Sequence, residues 1–245
     1  MKDKKQICKT IVSVCIFFIV IPLVIWFGVW LFNDRKYNVI SMAIALLSCV
    51  PFFIRFEKGK SGAREVVVIA VMTAFSVIGR LIFSPIPGFK PVTAITIIAG
   101  IALGAESGFM VGSLTAIVSN IFFGQGPWTP FQMFVWGIIG FLSGLFFYKK
   151  QTSNRFILAV IGLVGGIAYS LLMDIWTTVS MEGTFNVSRY LFYISSSFPF
   201  MAIYAVSNVV FLFVLAKPFL EKLNRIKTKY GIFQKYFFYK RKSVE

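Results

Sequence analysis

Residues 65–83 read EVVVIAVMTAFSVIGRLIF, nineteen positions in which only Glu65 and Arg80 carry charge. At ~1.5 Å per residue, a helix of this length covers nearly all of the ~30 Å hydrocarbon core of a bilayer. The run is one of several. Comparable apolar stretches at 10–32, 39–54, 92–103, 107–123, 131–148, 156–180 and 196–216 predict eight membrane crossings in all. The stretch at 92–103 is short for a full crossing, so it is expected to be shielded by its neighbours or to be re-entrant. Composition agrees: 58% of the 245 residues are hydrophobic and 14% charged, against about 25% charged in soluble domains. The expected fold is therefore all-α, a polytopic membrane helix bundle.

Charge gives the orientation. Lys and Arg number 25 against 9 Asp and Glu, a net charge of +16, which in a soluble chain would suggest nucleic acid. Here the basic residues fall between apolar runs rather than along one face, and alternate connections divide them unequally. One side collects Lys2, Lys4, Lys5, Lys9, Arg55, Lys58, Lys60, Arg64, Lys149, Lys150, Arg155 and the basic residues from Lys217 onward. The other receives Arg35, Lys36, Lys90 and Arg189, with Arg80 near its edge. By the positive-inside rule the first side is cytoplasmic, which places both termini in the cytoplasm of a multi-pass plasma-membrane protein. The lysine-bearing start followed by an apolar run looks like a signal peptide, but the run is too long and lacks a cleavage site, so it reads as a retained helix.

Three units follow: an N-terminal transmembrane hairpin and linker over 1–64, a six-helix core over 65–216, and a basic amphipathic cytoplasmic tail over 217–245. The tail sets Phe219, Leu223, Ile226, Tyr230, Phe233 and Phe237 at helical spacing among lysines. That pattern suits a helix lying on anionic lipid.

Chemistry of the covalent kind has little to work with. The chain has no histidine, which removes imidazole as base or metal ligand. No GxxxxGK[ST] loop is present, so the chain cannot cradle a nucleotide and drive transport alone. Paired carboxylates are missing, and Cys8, Cys15 and Cys49 form neither a CxxC pair nor a disulfide framework. Neither a metal site nor a cofactor is expected, and no enzyme.

What remains is a small set of polar residues in apolar surroundings. Charges within a span face protein or water rather than lipid. For Arg80 and Asp174 three roles fit: a structural ion pair with each other, snorkelling of Arg80 to the interface, or contact with a ligand. Residues 120–136 read NIFFGQGPWTPFQMFVW, with two glycines and two prolines that break the helix on the outer side. There Asn120, Gln125, Thr129 and Gln132 offer hydrogen bonds, and Trp128 serves either as a headgroup anchor or as a cover over a bound molecule. Lys90 lies in another outer connection, SPIPGFKP at 84–91. Small residues four apart, Ala70 with Ala74, Gly100 through Ala116, and Gly140 with Gly144, let helix backbones approach closely.

Residues 65–216 resemble the substrate-binding S component of energy-coupling factor (ECF) transporters. The likeness rests on Ala70-x-x-x-Ala74 in the first core helix, the hairpin AGIALGAESGFMVG at 99–112, and the block SNIFFGQGPWTPFQM at 119–133. The last of these is similar to S components assigned to cobalamin. The hairpin before Arg64 lies outside the usual six-helix core. This resemblance implies that the chain binds a vitamin, best matched by cobalamin, and passes it to a transmembrane coupling subunit and two ATPases. It implies Ala70 and Ala74 as the coupling face, and Arg80, Lys90, Asn120, Gln125, Trp128, Gln132 and Asp174 as the ligand surround. Other ligands of the same class, such as a queuosine or cobalamin precursor, fit the same motifs. A membrane scaffold that binds no small molecule is the alternative of a different kind.

Overall fold

Six helices make up the described part of the chain: α1 Ala63–Ile82, α2 Val92–Leu103, α3 Ala105–Phe123, α4 Thr129–Phe147, α5 Arg155–Glu182 and α6 Val187–Tyr230. This computed structural model describes residues 63–233, apart from 149, 153, 183 and 184. The expected crossings at 10–32 and 39–54, the linker up to residue 62 and the tail beyond 233 lie outside the described residues. No strand occurs among the described residues, and five of the helices are long and apolar enough to cross a membrane. The expectation of an all-α membrane bundle is met.

The sixth helix, α2, is the exception in length and the key to the packing. Each of its twelve residues is buried. A helix of twelve residues spans about 18 Å, well short of a bilayer core, but a helix wholly enclosed by protein need not match lipid thickness. Its apolar residues Ile95, Ile97, Ile98 and Ile101 form the centre of the main core with Leu212 of α6 and Val135 of α4.

Glycine makes this enclosure possible. α2 passes into α3 through the single residue Gly104, at φ +103°, a conformation that side chains disfavour. On either side of the joint, Gly100 and Gly108 lie against the backbone of Gly140 in α4 so closely that a Cβ on any of the three would overlap a neighbour's backbone atoms. The four-residue spacing seen in the sequence thus serves contact among α2, α3 and α4.

The C-terminal end of α2 leaves carbonyls with no helical partner, and side chains supply the donors. Gln151 Nε2 donates to Ile101 O at 2.8 Å, and Lys227 Nζ donates to Ala102 O at 2.7 Å. Lys227 is buried at 4% exposure, with its ammonium 4.6 Å over the Tyr148 ring. A cation suits the negative end of the helix dipole. Tyr148 Oη in turn donates to Phe233 O at 3.0 Å, and Phe233 N donates to the Glu65 carboxylate at 2.9 Å, so the end of α6 is fastened to α1, α2 and α4.

The stretch after residue 216 therefore continues α6 as far as Tyr230. Its stripe faces protein: Leu220 and Leu223 join the main core, and Phe219 meets Phe75 edge-on at 5.4 Å. Of the stripe over 217–230, Leu223 is buried, Phe219 and Ile226 are half-buried, and Tyr230 is exposed. Lys227→Met, which keeps the stem and removes the donor, is expected to cost about 1–3 kcal/mol through the uncapped Ala102 carbonyl. A lowered unfolding midpoint of the detergent-purified protein would register it; an unchanged midpoint would mean that another donor takes over the cap.

Candidate ligand-binding site

At the opposite end of the bundle, polar side chains meet. α1 ends in a turn carrying Arg80; α3 brings Ser119 and Asn120 near its C-terminus; α4 brings Thr129 and Gln132 at its N-terminus. Pro130 in the first turn of α4 suits a position whose N–H has no helical partner. Arg80 Nη1 donates to Ser119 Oγ in a very short hydrogen bond and to Asn120 Oδ1 at 2.8 Å. Asn120 Nδ2 donates to Thr129 Oγ1 and Gln132 Oε1, both at 2.9 Å. Gln132 Nε2 then reaches Tyr169 Oη of α5 at 3.4 Å. Four helices are thereby joined through two amides. Asn120 is 1% exposed, and both of its polar atoms are engaged, which fixes the orientation of its amide.

Rings surround this relay. Trp136 stacks on Tyr169 at 5.2 Å with an interplanar angle of 13°, and Tyr169 meets Tyr204 of α6 at 5.1 Å. The Arg80 guanidinium lies 4.5 Å from the Phe123 ring centroid and 5.1 Å from that of Trp136. On the same Phe123 ring stands the Lys90 ammonium at 5.5 Å. Both are cation–π contacts, which strengthen where water is excluded. The backbone of Lys90 is pinned by Ser207, whose hydroxyl accepts from Lys90 N at 2.9 Å and donates to Lys90 O at 3.1 Å. Burial first, and then the neighbouring Arg80 charge, push the Lys90 amine below its ordinary pKa.

Of the residues expected from sequence, Arg80, Asn120 and Gln132 form the relay and Lys90 adjoins it. Gln125 and Trp128 do not join them. The Gln125 side chain is exposed and donates back to Ile117 O at 2.8 Å, while Trp128 is 40% exposed and packs on Gly126. Asp174 makes no ion pair with Arg80; its carboxylate accepts from Ser197 Oγ at 2.6 Å, which answers the first of the three roles weighed for that pair. Ser119, Trp136, Tyr169, Tyr204 and Ser207 belong to the arrangement without having been singled out in sequence. Ser119 is the neighbour of Asn120, but a tyrosine or tryptophan in an apolar run carries no distinguishing signal. Among the described residues no group of His, Cys, Asp and Glu is placed to hold a metal.

On the outside of α1, Ala70 and Ala74 are exposed, flanked by exposed Val67, Val71, Phe75 and Ile78. An apolar groove of about 750 Å³ runs beside this face between α1 and α6, lined by Val67, Val71, Phe75, Phe219, Leu223 and Ile226 among others.

A multi-pass helix bundle that gathers amides, a guanidinium and rings at one end has the form of a membrane protein with a polar site set among its helices. Residues 60–225 match the family described as "ECF-type riboflavin transporter, S component", and the chain belongs to that family. S components are the substrate-binding membrane subunits of ECF transporters and work with a coupling subunit and ATPases. Similar proteins include the UPF0397 protein of Aliivibrio salmonicida strain LFI1238, 33% identical over 129 residues, covering 46% of this chain and 70% of the relative. The UPF0397 protein of Vibrio atlanticus strain LGP32 is 31% identical over 131 residues with the same coverage.

Proposed function

We propose that this protein captures a vitamin from outside the cell at the Arg80 end of the bundle and delivers it to a transmembrane coupling subunit driven by two ATPases. The observation that carries this reading is the relay from Arg80 through Asn120 and Gln132 to Tyr169, which spends four helices on one buried polar point. Buried polar groups are costly in a membrane and mark function more often than packing. The charge asymmetry of the sequence puts that end outside, where a nutrient arrives, and puts both termini in the cytoplasm. Exposed Ala70 and Ala74 supply a smooth strip on α1 for close approach of the coupling subunit.

Cobalamin is the leading ligand, on the likeness of the Gly124 to Pro130 block to S components assigned to it. A second reading, riboflavin, is favoured by the description of the matched family and by the flat ring faces of Trp136 and Tyr169. Protein purified from cells grown on rich medium is expected to carry its ligand. Visible corrinoid absorption decides for cobalamin and yellow flavin fluorescence for riboflavin. If no vitamin is retained and none is accumulated by cells expressing the protein with a coupling module, the S-component role is rejected in favour of a scaffold.

A further inference from the structure

Two positive charges share the Arg80 end, and among the described residues no carboxylate pairs with either. Arg80 is 7% exposed, and its partners are a hydroxyl, an amide and two rings, all neutral. Lys90 lies against the same Phe123 ring and feels the Arg80 charge. Glu182 pairs with Arg189 at 3.5 Å, and Asp174 is engaged with Ser197. Helix dipoles do not fill the gap. α1 and α3 bring C-terminal ends here while α2 and α4 bring N-terminal ends, so their partial charges roughly offset. A buried cation left without a counter-charge costs several kcal/mol.

Unused hydrogen-bonding capacity points the same way. Arg80 Nε and Trp136 Nε1 are both fully buried and have no hydrogen-bond partner among the described residues. Each is a donor only. The guanidinium lies over the Trp136 ring at 5.1 Å, so the two idle donors belong to one small region. A neutral carbonyl would take up a donor but leave the charge; a group with several acceptor oxygens and negative charge answers both.

We infer that the Arg80 end binds the oxyanionic group of its ligand, a phosphate or carboxylate, between Arg80, Lys90 and the Trp136 indole N–H. This rests on the reading above that the Arg80 end is the ligand site, and it narrows the ligand class. A corrinoid carrying a phosphodiester fits; riboflavin, which has no anionic group, leaves both charges unanswered. An anionic lipid headgroup presents the same oxyanion and is the other source to separate.

The test uses the full-length protein in phosphatidylcholine nanodiscs, titrated with inorganic phosphate against chloride at constant ionic strength and read by unfolding midpoint and tryptophan emission. The expected result is a saturating response with a midpoint on the order of 1 mM. It should weaken about tenfold or more in Arg80→Gln. Asn120→Asp, which supplies an internal carboxylate to Arg80 but withdraws the Nδ2 donor from Thr129 and Gln132, should abolish the response while still unfolding in one cooperative transition, so that loss of binding is separated from loss of fold. A wild-type response that is absent, linear in salt, or equal to that of Asn120→Asp overturns the inference. Repeating the titration in phosphatidylglycerol nanodiscs assigns the source: a response lost there means that the headgroup occupies the site, and a response retained means a soluble ligand. Vitamin uptake by a protein indifferent to phosphate would sink this inference and leave the S-component reading standing; a phosphate response without uptake would do the reverse.

Discussion

Replacing Ala70 and Ala74 together by leucine is expected to cut vitamin uptake by about 100-fold or more while leaving ligand affinity within about twofold, a difference of roughly 2.7 against 0.4 kcal/mol. The two faces of α1 explain why these effects separate. Met72, Thr73, Ser76, Val77 and Arg80 turn inward and are buried, whereas Ala70 and Ala74 lie on the exposed side with Val67, Val71 and Phe75. Added bulk on the outer side meets nothing in the bundle, so the relay at Arg80 should keep its geometry. A partner helix that packs backbone to backbone on small residues would be held off by two isobutyl groups. Uptake in cells carrying the coupling module, and affinity of the purified protein, are measured side by side. Ile78→Leu, a near-isosteric change one turn further along the same helix, serves as control. Uptake unchanged in the double variant would remove the coupling face from α1; affinity lost in parallel with uptake would make the alanines part of the internal packing.

Hydropathy located five of the six described helices to within a residue or two, because each apolar run coincides with a helix. α2, expected over 92–103, is found as Val92–Leu103, and α1, expected over 65–83, as Ala63–Ile82. It failed on α6, expected over 196–216 and found as Val187–Tyr230. Hydropathy reports contact with lipid, and α6 continues at both ends into polar and lysine-rich sequence that is helical for other reasons. Asn186 caps its start by accepting from Arg189 N at 3.2 Å, and Gly231, at φ +62°, ends it. Both signals stand in the sequence as an N-cap residue and a C-terminal glycine, but Pro199 and Pro218 inside the helix obscure them. A proline within a long helix is tolerated where packing holds the chain on either side.

The site was legible where a polar residue interrupts an apolar helix, since such a residue needs a partner and helical periodicity fixes where it lies. Arg80, Asn120 and Gln132 are of this kind. Gln125 and Trp128 sit in the connection between α3 and α4, where no periodicity constrains direction, and there composition alone could not say which side chains turn inward. Tyr169, Tyr204 and Trp136 were hidden for the opposite reason. Aromatic residues make up 18% of the chain, so three more inside helices carry no signal until their rings are seen to stack.

Asn120→Leu is expected to destabilise the protein by about 3–5 kcal/mol and to weaken ligand binding by about 100-fold or more. Leucine is close to asparagine in size, so the change tests the amide rather than the space. Without Oδ1 the buried guanidinium keeps only Ser119 as a hydrogen-bonding partner, and without Nδ2 both Thr129 Oγ1 and Gln132 Oε1 lose a donor. A lost hydrogen bond to a charged group is worth about 1.5–3 kcal/mol, and each stranded neutral acceptor adds about 1–3. Partial relaxation of Gln132 toward Tyr169 brings the sum down to the range given. Gln125→Leu provides the contrast, because that side chain is exposed and touches only Ile117 O; its unfolding midpoint and affinity should match the wild type. Gln132→Met, which cuts the relay at its far end and leaves Arg80 bonded to Asn120, should fall between the two. If Asn120→Leu binds as the wild type does and Gln125→Leu does not, the ligand sits in the connection above the bundle rather than at the relay, and the four-helix arrangement around Asn120 is packing.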